Sequence, residues 1–135
     1  MADVAAAVAD THALVFHATG SRKLGRAASA LFDRVENGGA VIYVPAAVVW
    51  ECGLLVRAGR LSLRRSISAF AADLFSNPAF HPVPITIGHV LVADGLGFTR
   101  DPFGALIVAV ARDLDLPLLT RDATIEESGL VETIW

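Results

Sequence analysis

The strand-like segments of this chain are apolar on consecutive residues rather than on alternate ones. VIYV at Val41 to Val44, PLLT at Pro117 to Thr120 and the run from Val4 to Ala9 show no polar face. A strand tolerates that only when both of its faces are covered, the usual state of a parallel sheet lying between layers of helix. Helical spacing fills the intervals. Arg22 to Glu36 carries Leu24, Ala27, Ala28, Leu31, Phe32 and Val35 on one face and stops at Asn37-Gly38-Gly39. Asp10-Thr11 opens a short helix that ends at Gly20. Pro45 fits the start of a helix running to about Ala58, and Arg64 to Phe75 reads as another, closed by Asn77-Pro78. FHPVPI forms a short strand whose prolines, Pro82 and Pro84, place it at a sheet edge. A short helix over Thr86 to Ala93, a loop at GLGF, a helix from Pro102 to about Asp113, a loop after Asp122 and a last strand in VETIW complete the order. This alternation predicts an α/β domain with a central, mainly parallel sheet flanked by helices. There is no repeat, linker or low-complexity stretch, so residues 1–135 are expected to form a single domain.

Composition narrows the class. With 54% hydrophobic and 19% charged residues the chain is not a disordered one. Its longest uncharged runs fall short of the roughly 20 residues that a membrane helix needs. No signal-peptide pattern opens the sequence, and Cys52 is its single cysteine, so a cytoplasmic protein without an internal disulfide is expected. The net charge of −3 argues against simple DNA binding through a basic surface. It does not argue against a nucleic-acid enzyme, because divalent cations invert the potential of an acidic pocket. The densest positive cluster, Arg57, Arg60, Arg64 and Arg65, suits either a solvated helix end or a phosphate-guiding patch.

Four carboxylates stand out by position. Ligands of α/β sheets bind beyond the carboxyl ends of the strands. Asp10 follows the first strand, and Asp122 follows PLLT by two residues. Glu51 is the single charged residue between Val41 and Val56, with Ala47, Val48, Leu54 and Leu55 as helical neighbours, so it must be paired, protonated or bound to a cation. Asp101-Pro102 has the form of a helix N-cap and first helical residue, a role open to Asp101 beside that of ligand. A cluster of acids without paired Cys or His points to Mg²⁺ or Mn²⁺ rather than zinc. His12, His17, His81 and His89 lack metal-ligand spacing and suit helix-surface or turn packing, while Cys52 suits a buried small residue. There is no phosphate loop, nucleophile elbow or dinucleotide fingerprint. An aspartyl phosphatase would need a second Asp where His12 stands.

With these residues in view, the chain resembles the PIN-domain proteins of the VapC type, ribonuclease toxins of toxin-antitoxin pairs. DTHAL at Asp10 to Leu14, VPAAVVWE at Val44 to Glu51, GRLSL at Gly59 to Leu63, and RDPFGALIVAVA followed by LPLLTRD carry the likeness over nearly the whole length. It implies a three-layer domain with a four- or five-stranded sheet and a divalent-metal site. Asp10 and Glu51 match the first two acids of that site, Asp122 the carboxylate after the fourth strand, and Thr120 a position where a hydroxyl is frequent. The family's usual DPFD is DPFG here, so Gly104 replaces an expected ligand and Asp101, three residues earlier on the same helix face, is the substitute available. The resemblance implies hydrolysis of RNA phosphodiesters by metal-activated water, with Asp10, Glu51, Asp101 and Asp122 catalytic and Arg57, Arg60 or Arg100 on the RNA backbone. An antitoxin partner and a homodimer follow from it as well, with Trp50, Phe70, Phe75 and Trp135 as interface or core aromatics. A PIN-like binding module that has lost its nuclease activity is the alternative that Gly104 raises.

Overall fold

A computed structural model describes residues 5–135. Strand β1 (Ala6–Ala9) leads into helix α1 (Thr11–Ala18), followed by α2 (Arg26–Glu36), β2 (Val41–Pro45), α3 (Ala46–Arg57), α4 (Ile67–Ser76) and β3 (Phe80–Val83). Then come α5 (Ile87–Leu96), α6 (Pro102–Leu114), β4 (Leu118–Leu119), α7 (Ala123–Ser128) and β5 (Thr133–Ile134). The strands form one five-stranded sheet in the order β3-β2-β1-β4-β5, and every pair is parallel. Ala7, Val8 and Ala9 are all fully buried. Because successive strand residues face opposite sides, that burial requires cover on both faces, as the unbroken apolar runs imply. The first strand was read from Val4, which lies outside the described residues.

The edge position expected from Pro82 and Pro84 is observed, since β3 pairs with β2 alone. Helix α6 buries Ile107, Val108, Ala109, Val110 and Ala111 in succession, and a helix enclosed on so many sides belongs to the interior. Helix α5 packs on it and carries the exposure instead: Ile87 is 76% and Leu91 68% accessible. His89 is the buried exception on α5. Its Nδ1 accepts from Thr86 N–H at 3.3 Å, so Nε2 carries the proton and donates to Asp113 at 3.2 Å.

Several boundaries differ from the sequence reading, each for a local reason. Helix α2 starts at Arg26 rather than Arg22. Its free N–H groups on Ala27 and Ala28 donate to the carbonyl oxygen of Trp135 at 2.9 and 3.2 Å, a cap supplied from the far end of the described chain. Gly25 makes room for it, because a Cβ there would lie 2.2 Å from the Trp135 carbonyl carbon. Helix α4 starts at Ile67 rather than Arg64. Arg64 is left-handed, with φ 59°, and Ser66 caps the helix by accepting from Ala69 N–H at 3.0 Å. The segment after Asp122 is the short helix α7 and not a loop, because Asp122 caps it and left-handed Gly129 closes it. GLGF is not wholly loop either, since α5 runs on to Leu96 and ends at left-handed Gly97.

Candidate active site

The chain order reverses between β1 and β4, which are neighbours in the sheet although far apart in sequence. Ligand sites of open parallel sheets lie beyond the carboxyl ends of the strands at such a reversal. Asp10 caps α1 at the end of β1. Its Oδ1 accepts from Thr11 N–H at 2.7 Å, and its Oδ2 accepts from the hydroxyl of buried Thr120 at 2.6 Å. That hydroxyl also accepts from Asp122 N–H at 3.1 Å, which ties the turn after β4 to the turn after β1. A cavity of about 230 Å³ opens here, lined by Asp10, His12, Thr120, Arg121 and Asp122.

Glu51 reaches the same place from α3. The fully buried Thr11 donates its hydroxyl to Glu51 Oε1, so one residue orients two carboxylates, Asp10 through its amide and Glu51 through its side chain. Burial pushes the carboxyl groups of both acids above their ordinary range. Hydrogen bonds from Thr120 and Thr11 oppose the shift at Asp10, and that from Thr11 opposes it at Glu51. Neighbouring charge acts both ways: His12 lowers and Asp122 raises Asp10, while Asp101 and Asp10 raise Glu51 and His12 lowers it. None of the four acids forms an ion pair among the described residues. Next to Glu51, Cys52 is fully buried and its thiol is pushed up to about 12, chiefly by burial, as suits a packing residue rather than a nucleophile.

Asp101 is both a cap and a neighbour of the site. Its Oδ1 accepts from Phe103 N–H at 3.0 Å, while a Cβ built on Gly104 would stand 3.0 Å from its Oδ2. The carboxylate of Asp101 therefore crowds the start of any side chain at position 104. Asp122 likewise spends Oδ1 on Ile125 N–H at 3.1 Å. Asp10, Asp101 and Asp122 thus cap three helices whose N-termini meet at this edge, each favouring negative charge there.

The acids are close without forming a closed cage. Among the described residues no group of three or more His, Cys, Asp or Glu side chains is disposed to hold an ion. Glu51 and Asp101 do not line the cavity that holds Asp10 and Asp122. The donor chemistry still fits a hard divalent cation: carboxylate oxygens, desolvated, of one sign, and in no ion pair among the described residues. Asp10 and Glu51 are the pair that would hold it.

The arginines diverge. Arg60 enters a neighbouring groove with His12, Lys23 and Arg121. Arg57 turns back along its own helix, with Nη1 3.4 Å from where a Cβ at Gly53 would be, and Arg100 is exposed in the segment before α6. The aromatics divide too. Phe70 is buried, Phe75 and Trp135 are partly buried, and Trp50 is 56% exposed with its ring edge against Phe103. Sequence reasoning gave no site role to Thr11 or Arg121 and read His12 as a packing residue. The signal for Thr11 was available as a polar β-branched residue directly after a capping Asp and just ahead of the apolar run Ala13 to Phe16. The other two follow from neither spacing nor composition.

A family model for the PIN domain matches residues 7–129. No curated protein matches the sequence. Among solved structures the chain is similar to VapBC2 from Rickettsia felis bound to a fragment of promoter DNA, with TM-score 0.67, 12% identity and 96% of this chain covering 97% of that one. It is also similar to VapC20 of Mycobacterium tuberculosis, a toxin that cleaves the sarcin-ricin loop, with TM-score 0.66, 18% identity and coverage of 93% and 96%. FitAcB from Neisseria gonorrhoeae gives TM-score 0.63, 17% identity and coverage of 95% and 96%. At these identities the neighbours establish a shared fold, and the match over nearly the whole chain establishes the family. The parallel five-stranded sheet, the acids at its carboxyl edge and this match together assign the chain to the PIN-domain family, whose nucleases generally use divalent metal ions.

Proposed function

We propose that this protein is a divalent-metal-dependent endoribonuclease, the toxin of a type II toxin-antitoxin pair. The observation that carries the reading is the shared hold of Thr11 on Asp10 and Glu51, two partly enclosed acids that form no ion pair among the described residues at the strand-order reversal. Mg²⁺ or Mn²⁺ at Asp10 and Glu51, with Asp101 and Asp122 at the rim, would supply Lewis acidity to activate water and to neutralise charge on a phosphodiester. The chain's own part is orientation. Thr11 and Thr120 fix the carboxylates, and the helix N-termini offset part of their repulsion. Asp101 supplies the negative charge that position 104 lacks, and Arg60 and Arg100 hold RNA backbone.

Gly104 favours a second reading, a PIN module that binds RNA or a protein without cutting. Calorimetric titration with Mg²⁺ and Mn²⁺, run beside RNA cleavage by protein freed of contaminating nuclease, separates the two. Saturable binding and metal-dependent cleavage are expected. A protein that binds neither ion at millimolar concentration is the degenerate module.

The neighbours include toxin-antitoxin complexes, and an antitoxin partner in the cytoplasm is part of the proposal. Self-association is inferred from the apolar exposure of Ile87 and Leu91, one turn apart on α5, and of Trp50. Leu91→Glu should move the sedimentation coefficient toward that of a monomer. A wild-type protein that is already monomeric at tens of micromolar would end this inference.

A further inference from the structure

Beside the carboxylate cavity, and sharing His12 and Arg121 with it, lies a groove of about 260 Å³ of different character. Lys23 comes from the segment after α1, Arg60 from the segment after α3 and Arg121 from between β4 and α7, and all three are exposed. None of them has an acidic partner among the described residues. Arg60 lines the groove, and the other two lie over rings instead. Lys23 Nζ lies 6.0 Å from the centroid of Phe16, and the Arg121 guanidinium lies 4.9 Å from that of Phe16 and 5.8 Å from that of Trp135. His12 and Trp135 flank Phe16 at 5.9 and 6.1 Å, and Val15, Leu55 and Leu61 complete an apolar wall.

Gathering like charges without neutralising them is unfavourable in the free protein and becomes favourable when a polyanion arrives. A groove that also offers an aromatic face and an aliphatic wall suits a polyanion carrying flat apolar groups. Single-stranded nucleic acid has both, whereas free phosphate and acidic peptide have only the charge. We propose that this groove seats a nucleotide of single-stranded RNA adjacent to the bond cut at the carboxylate cavity. Lys23, Arg60 and Arg121 take its phosphates, and the base displaces the cations from the face of Phe16. The proposal rests on the ribonuclease reading for what happens to the strand next door. It adds Lys23, Arg121, His12 and Phe16 to the surface that selects the substrate.

Fluorescence anisotropy of a short fluorescein-labelled 2′-O-methyl oligouridine, measured in EDTA across a salt series, tests binding apart from cleavage. Lys23→Gln, Arg60→Gln and Arg121→Gln should each weaken binding and lower the slope of log affinity against log salt by about 0.7, the increment for one phosphate contact on a single strand. The triple variant should lose about 2 from the slope. Phe16→Leu should weaken binding by about 5- to 160-fold with the slope unchanged. If Phe16→Leu melts early, the exposed charge variants decide alone. Arg65→Gln removes the same charge at a site outside the groove and should change little. An unchanged slope in the triple variant overturns the proposal, as does an equal loss in Arg65→Gln. Tighter binding of a fluorescein-labelled oligoglutamate, lost in the same variants, assigns the groove to an acidic protein segment and also overturns it. A wild-type protein that binds the oligouridine but never cleaves RNA with Mg²⁺ or Mn²⁺ defeats the ribonuclease reading and leaves the groove standing. Cleavage that is indifferent to the triple variant does the reverse.

Discussion

The two ends of the sheet treat charge in opposite ways. Where β2 and β3 begin, a cavity of about 230 Å³ is lined by His17, Glu36, Arg65 and Asp73 among apolar neighbours. Each acid there has a basic partner: Glu36 meets His17 at 3.1 Å, and Asp73 meets Arg65 at 3.1 Å. His17 is further held by stacking flat on Phe32, with centroids 4.1 Å apart. At the carboxyl end, Asp10 and Glu51 are held by threonine hydroxyls and an amide, and the nearby cations rest on aromatic rings. The first end has settled its charges internally. The second gathers acids and bases around two adjoining cavities that share His12 and Arg121, with none of the four acids in an ion pair, which is the arrangement a ligand can exploit.

The sharpest way to break this contrast is Glu51→Gln. It should cut metal-dependent RNA cleavage by at least the roughly 10- to 100-fold that follows loss of even an outer partner of a metal ligand. The melting temperature in EDTA should hold or rise, because a repelling charge has gone. Undiminished cleavage would remove Glu51 from the site.

Position 104 gives the next effect. Gly104→Asp should tighten Mn²⁺ binding by about tenfold, equivalent to about 1.4 kcal/mol. Its Cβ would stand 3.0 Å from Asp101 Oδ2, so Asp101 must yield by a few tenths of an ångström. Asp101→Asn keeps the cap and removes the charge, since the two residues cap about equally well. If Asp101 serves as the substitute acid, Asp101→Asn loses metal affinity and the double variant recovers it. Unchanged affinity in Asp101→Asn would leave Asp101 as a cap alone.

A smaller effect concerns pH. Burial raises Asp10 and Glu51 above their ordinary values of 3.8 and 4.5, so across that range and upward the folded protein binds more protons at these groups than the unfolded chain does. Their contribution therefore favours folding at low pH and declines as pH rises through the folded values. In EDTA, thermal stability should increase from neutral pH toward mildly acidic pH, and Glu51→Gln should flatten the trend. A wild-type profile rising steadily with pH would contradict the enclosed, unpaired state of these acids.

The smallest effect belongs to the opposite end. Glu36 and Asp73 are well exposed, and pairs of that kind contribute about 0 to 1 kcal/mol, screened by salt. Glu36→Gln should shift stability by no more than that and leave RNA cleavage unchanged. A loss of cleavage there would erase the distinction between the two ends.

Much of this molecule is legible in its sequence. Apolar runs without alternation imply a sheet covered on both faces, Pro82 and Pro84 imply an edge, and Glu51 stands out because nothing near it in sequence can neutralise it. These features are local: periodicity, backbone restriction by proline, and the cost of burying a charge act over a few residues. The start of α2 is different, because it depends on Trp135 lying against Gly25, and no pattern within Arg22 to Glu36 records that contact. The candidate site divides in the same way. Sequence by itself marked out the acids, and the family resemblance drew attention to Thr120 and to Gly104. Tertiary structure alone decided that Thr11 joins Asp10 to Glu51, that Asp101 crowds Gly104, that Arg57 turns away, and that Lys23, Arg60 and Arg121 share one groove with Phe16. The physical reason is that which hydroxyl meets which carboxylate, and which cation meets which ring, is set by chain segments that approach one another only when the sheet assembles.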